Sequence, residues 1–173
     1  TYLLFCTQLA DVLWPIFLIL GIEHARITPG ITEATPLDLY DYPWSHSALM
    51  LLVWSGLAAS PWLARRQWRQ ALVVMGCVFS HFILDGITHR PDVPLVPGLD
   101  VYVGLGLWHS RLATLLVEGS MWIGAIVLYL RSSRATSAFG RWGFGLLVLL
   151  STATWLGAMF GPPPPGIDVV MYS

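Results

Sequence analysis

Lysine is absent from this sequence, and its nine basic residues are all arginine, spread too thinly for the dense basic patch that phosphate-backbone binding needs. Nucleic acid is therefore not an expected partner. Charge of either sign is scarce, with 11% of the 173 residues charged, 55% apolar and a formal net charge of -1. A water-exposed surface cannot be built from that balance, which excludes a soluble fold and calls for lipid-facing helices. Only two cysteines occur, Cys6 and Cys77, each inside an apolar run. They read as small packing residues and not as a disulfide or zinc framework. Also missing are an H-E-x-x-H helix, a G-x-S-x-G nucleophile elbow, a G-x-x-x-x-G-K phosphate loop and any internal repeat, so no familiar protease, esterase or nucleotide-binding reading applies.

What the chain does have is five long apolar segments, near 2–22, 47–64, 70–88, 112–130 and 142–160. A helix needs about 20 mostly apolar residues to cross the hydrocarbon. The expected fold is all-α, a polytopic transmembrane bundle of about five spanning helices forming one domain over 1–173. The first segment lacks the basic start and small-residue cleavage site of a signal peptide, and a short stretch ahead of Thr1 is expected.

Arg65, Arg66 and Arg69 lie between the second and third segments, and Arg131, Arg134 and Arg141 between the fourth and fifth. Positive charge close to membrane ends marks the cytoplasmic side, so these turns are expected there. Loops 23–46 and 89–111, acidic and aromatic, then face the opposite, periplasmic side. Trp44, Trp62, Trp68, Trp108 and Trp142 near segment ends suit an interfacial belt.

An ionisable residue at bilayer depth costs about 2.5–3.5 kcal/mol on insertion scales, so it faces the bundle interior with a partner or a task. In the third segment His81, Asp85 and His89 follow one another at i, i+4 and i+8, which stacks them on one helical face. Imidazole and carboxylate are the usual ligands for Zn²⁺ and related first-row ions. The same stripe would equally serve as a hydrogen-bonded lock between helices. The first segment carries Asp11, with Thr7 and Gln8 a turn earlier. The fourth carries Glu118, with Arg111 and Thr114 on about the same face, which suits an internal ion pair, a protonated carboxyl hydrogen-bonded within the bundle, or a general base. His46 opens the second segment at the outer boundary, with Ser45 placed to cap that helix. His24 and His109 fall in loops as surface histidines. A metal ion held here would supply Lewis-acid chemistry, with Asp85 or Glu118 as general base.

Asp11-Val12-Leu13-Trp14-Pro15, the turn Pro43-Trp44-Ser45-His46-Ser47, the helix Ser80-His81 to Asp85 with His89-Arg90-Pro91-Asp92, and Gly104-Leu105-Gly106-Leu107-Trp108 together resemble a group of small bacterial membrane proteins related to the inner-membrane metal-dependent hydrolase family. The resemblance covers most of the chain, although a single Asp11 stands where that family has a Pro-Asp-x-Asp cluster. It implies Asp11, His46, His81 and Asp85 as metal ligands, a divalent ion such as zinc, a bacterial inner-membrane location and hydrolysis of a phosphate or lipid-type ester. Two other readings stay open. One is a non-catalytic accessory subunit of a larger membrane complex, binding lipid, pigment or partner helices. The other is a small permease relaying protons through Asp11, Asp85 and Glu118; the lack of an inverted repeat counts against it.

Overall fold

The structure, a computed structural model, describes residues 2–171. It is helical in the main: α1 (Tyr2–Thr7), α2 (Leu9–Ile19), a four-residue turn α3 (Pro43–His46), α4 (Ala48–Ala64), α5 (Trp68–Thr88), α6 (Arg111–Ser132), α7 (Ala138–Phe160) and a short α8 (Ile167–Met171). Two small antiparallel hairpins interrupt the helices, β1 (His24–Ile27) with β2 (Leu37–Asp41), and β3 (Val93–Pro94) with β4 (Tyr102–Val103). Among the described residues three helices, α5, α6 and α7, are long and apolar enough to cross a bilayer. The protein is a membrane protein.

Three spans are fewer than the five expected, and the two shortfalls have local causes. The first apolar segment is broken at Gln8, whose φ of -102° and ψ of 8° leave the helical range. Its second piece also contains Pro15, which has no N–H to give to the Asp11 carbonyl one turn back. The second segment makes only 17 helical residues, about 25 Å against a hydrocarbon core of about 30 Å. Its start is set by Ser47, whose Oγ accepts from the Met50 amide, and not by Ser45 as expected. Its end is set by a left-handed Arg66 with φ of 56°. The Arg66 amide donates to the Leu63 carbonyl and the Gln67 amide to that of Trp62, the paired bonds of a Schellman stop.

The chain divides into two compact units: residues 2–28, 37–107 and 164–171 form one, and 29–36 with 108–163 the other. In the first, α4 lies against α5 over a core of Cys6, Ala10, Leu51, Ala59, Ala71, Val74 and Val78. Most of these are small, which lets helix backbones approach closely where lipid offers no hydrophobic drive for association. Cys6 is buried there as a free thiol, and Cys77 is free as well.

The C-terminal end of α5 is closed by the Gly104-Leu105-Gly106 segment. The Leu105 amide donates to the Gly86 carbonyl at 2.9 Å and the Gly106 amide to that of His89 at 2.6 Å. Gly104 has φ of 157°, and a Cβ there would overlap the Arg90 carbonyl, so only glycine fits. Beside this cap, buried Asp38 on β2 accepts from Arg26 Nε at 2.6 Å and from Arg90 Nη2, and Arg90 Nε donates to Asp92 at 2.6 Å. Asp38 thus joins the β1–β2 hairpin to the segment after α5.

In the second unit α6 and α7 are mostly exposed and fully bury only Thr114 and Met159 among the described residues. Glu118 accepts from Trp108 Nε1 at 2.9 Å on one oxygen and from Trp155 Nε1 at 2.6 Å on the other, and Trp122 Nε1 donates to Thr152 Oγ1. The suggested Glu118–Arg111 ion pair is not formed. Arg111 instead donates from its side chain to the Glu33 carbonyl and lies over the Phe160 ring.

Replacing Asp38 by Ala should lower stability by about 2 kcal/mol, since two charged donors lose their common acceptor. Thermal unfolding of the detergent-solubilised protein should show a reduced Tm; an unchanged Tm would remove the hairpin clasp from this account.

Candidate metal centre

Three chain segments of the first unit deliver side chains to one place. α2 supplies Asp11, the α3 turn supplies His46, α5 supplies His81 and Asp85, and His89 follows as the C-cap residue of α5. Asp11 Oδ1 lies 3.5 Å from His46 Nε2 and 3.5 Å from His81 Nε2, and one ligand atom from each of these three residues falls within 4.8 Å of the others. Asp85 Oδ2 is 3.5 Å from His81 Nε2, and its Oδ1 is 3.8 Å from His89 Nε2. His46, Asp85 and His89 are buried, while Asp11 is about half exposed and forms the open edge. His81 stands seven residues inside the end of α5, so the cluster is about 10 Å in from that end.

Each imidazole is held from behind. His81 Nδ1 is 3.0 Å from the Thr7 carbonyl, at the break between α1 and α2. A carbonyl only accepts, so Nδ1 carries the proton and the neutral ring turns its Nε2 lone pair toward Asp11 and Asp85. His89 Nδ1 lies 3.3 Å from Asp92 Oδ1 and 3.3 Å from the Tyr42 hydroxyl, and Tyr42 stacks on the His89 ring. Burial raises the Tyr42 phenol well above its usual range, and the nearby Asp92 and Asp85 carboxylates add to this, so it stays a neutral donor. Burial would raise Asp92 too, but its bonds to His89 and Arg90 outweigh that and hold it below the usual carboxylate value. His46 Nδ1 is 2.6 Å from Ser45 Oγ, and the Ser45 hydroxyl donates to Glu23 Oε2 at 2.6 Å.

With its imidazoles neutral, this cluster presents acceptors to acceptors: two carboxylates and imidazole lone pairs converge without a donor between them. Asp85 Oδ2 is buried and has no hydrogen-bond partner, one of two such side-chain atoms among the described residues, the other being Trp14 Nε1. A buried carboxylate oxygen left in that state is costly, and a proton or a metal ion at this point would remove the cost. The separations discriminate. Contacts of 3.5 Å are long for hydrogen bonds between ionised partners, which close to about 2.8 Å. Ligand atoms around a four-coordinate ion with bonds of about 2.1 Å stand about 3.4 Å apart. Asp11, His46 and His81 fit a divalent ion by donor type and spacing, and Asp85 adjoins them through His81.

Of the residues singled out in the sequence, Asp11, His46, His81 and Asp85 are brought together here. Glu118 belongs to the second unit, with both oxygens taken by indoles. His24 is a surface histidine paired with Asp41 at 2.8 Å, and His109 is exposed. Sequence reasoning missed Glu23, which looked like an ordinary loop acid; His46, expected to open the second segment, is buried in the α3 turn just before it. It also missed Tyr42 and the Thr7 carbonyl. Only the adjacency of Tyr42 and Ser45 to His46 offered a signal. Comparisons with protein-family models, with curated proteins and with solved structures find no match for this chain.

Asp85→Asn should stabilise the protein in the presence of chelator by about 1–3 kcal/mol, because the amide can donate where the carboxylate has nothing to accept from. A higher Tm in EDTA for the variant than for wild type is expected; a lower one would mean that Asp85 is satisfied without a cation.

Proposed function

We propose that this protein binds a divalent cation through Asp11, His46, His81 and Asp85 and is a membrane-embedded hydrolase of phosphate- or lipid-type esters. The observation that carries the reading is the pair of 3.5 Å separations that Asp11 Oδ1 makes to His46 Nε2 and His81 Nε2, with the buried, unpartnered Asp85 Oδ2 a further 3.5 Å from His81 Nε2. A bound divalent ion would polarise an ester or phosphoryl oxygen and acidify water. The chain's own residues do the rest. Asp11 forms the accessible edge at which a substrate oxygen would enter. Asp85 would face the ion with Oδ2, leaving Oδ1, on the side of His89, to take a proton from water. His89, oriented by Asp92 and Tyr42, lies 3.8 Å from Asp85 Oδ1 on its far side. Zinc is the first candidate from the N/O donor set. The bacterial inner membrane, with the Arg65–Arg69 and Arg131–Arg141 turns on the cytoplasmic side, belongs to the same proposal and rests on positive-inside bias.

A second reading draws on the second unit. α6 and α7 leave nearly all of their apolar surface to lipid or to other helices, which suits a non-catalytic accessory subunit. In that version the cluster is a structural cation site and turnover is absent.

Metal content of detergent-purified wild type, measured by mass spectrometry beside His81→Ala, tests the metal centre. About one equivalent in wild type and its loss in the variant is the expected result. Metal retained in the variant at wild-type stoichiometry would falsify the assignment. Hydrolysis of phospholipid or phosphate-ester substrates by the metal-loaded wild type would favour the enzyme; its absence across such a panel favours the accessory subunit.

A further inference from the structure

Glu23 is 1% exposed, in the turn that leads from α2 into β1. Three donors meet it. Its Oε1 accepts from the Trp44 and Ser45 amides, both at 2.7 Å, and its Oε2 accepts from the Ser45 hydroxyl at 2.6 Å. The two amides are the first free N–H groups of the α3 turn, so the carboxylate also fixes where that turn begins. Burial raises the carboxyl above its ordinary value, while these three bonds pull it back.

The Ser45 hydroxyl has one proton, and Glu23 takes it. Ser45 Oγ can then only accept along its 2.6 Å contact with His46 Nδ1. Nδ1 must carry the imidazole proton, and Nε2 is left with its lone pair, 3.5 Å from Asp11 Oδ1. We propose that Glu23 is a positioning residue for the metal centre: acting through Ser45, it fixes His46 as the Nδ1–H tautomer and so keeps Nε2 available as a ligand. Partners of this kind around ligating histidines change metal affinity about 10- to 100-fold when altered.

The proposal makes an isosteric change decisive. In Glu23→Gln the amide oxygen still accepts the Trp44 and Ser45 N–H groups, but an NH₂ now stands where Oε2 stood and donates to Ser45 Oγ. The Ser45 proton has then lost its Glu23 acceptor, and His46 Nδ1 is the other side-chain atom it contacts, so the hydroxyl turns its proton there and the imidazole proton moves to Nε2, where it blocks the ligand position. One substitution in a residue that never touches the ion reverses the direction of the whole chain.

Two measurements test this, and only the second rests on the metal-centre reading. In metal-free protein labelled with ¹⁵N-histidine, the His46 signals, identified by their loss in His46→Asn, should report an Nδ1–H tautomer in wild type and Nε2–H in Glu23→Gln. An Nε2–H wild type overturns the proposal even if the variant fails to fold. Zinc affinity measured by competition with a chelator should then fall about 10- to 100-fold in Glu23→Gln, and comparably in Ser45→Ala. A wild type that binds no zinc sinks the metal centre and leaves the tautomer result standing. A wild type that binds zinc, with a correctly folded Glu23→Gln that binds it equally well, sinks the role of Glu23 alone.

Discussion

The cost of holding ionisable groups inside apolar helices governs the first unit. Asp11, His81 and Asp85 all lie within apolar helical runs, where each charge carries a penalty of about 2.5–3.5 kcal/mol on insertion scales. Bringing them together beside His46 would let one shared cation offset several penalties at once. The surrounding structure follows from that requirement. The break at Gln8 leaves the Thr7 carbonyl beside His81, the α3 turn carries His46 inward, and the glycine-capped end of α5 holds His89 against Asp92 and Tyr42.

The second unit meets the same cost by a different route. Glu118 lies within a spanning helix, and the indole N–H groups of Trp108 and Trp155 occupy its two oxygens. A carboxylate satisfied in this way ties α6 to α7 and offers no lone pair at low cost to a ligand. Asp85 differs because its neighbours are imidazoles with pinned Nδ1 atoms, so its Oδ2 is buried without a hydrogen-bond donor. Hydrogen-bond accounting, more than residue type, separates a structural carboxylate from a chemically available one.

The supports behind the three histidines differ in kind, and that bears on how firmly each is held. His81 leans on a backbone carbonyl, which cannot reverse its polarity. His89 leans on a carboxylate kept ionised by Arg90, itself fastened to Asp38. His46 leans on a hydroxyl, which can either donate or accept, and only the buried Glu23 decides which.

Periodicity and composition alone determined the membrane class, the apolar spans of α5, α6 and α7, and the stripe of His81, Asp85 and His89, because these are local properties of a 3.6-residue repeat. Motif resemblance pointed to Asp11 and His46 as companions of that stripe, although nothing in the spacing places residues 35 positions apart in contact. Tertiary structure decided the rest. The first two segments fall short as spans because a left-handed Arg66, a Ser47 cap and the kinked Gln8 are backbone outcomes that an apolar average does not register. Glu23 and Ser45 are 22 residues apart, and Trp155 and Glu118 are 37 apart. A hydrogen bond depends on atoms meeting within about 3 Å, which chain folding sets and composition does not.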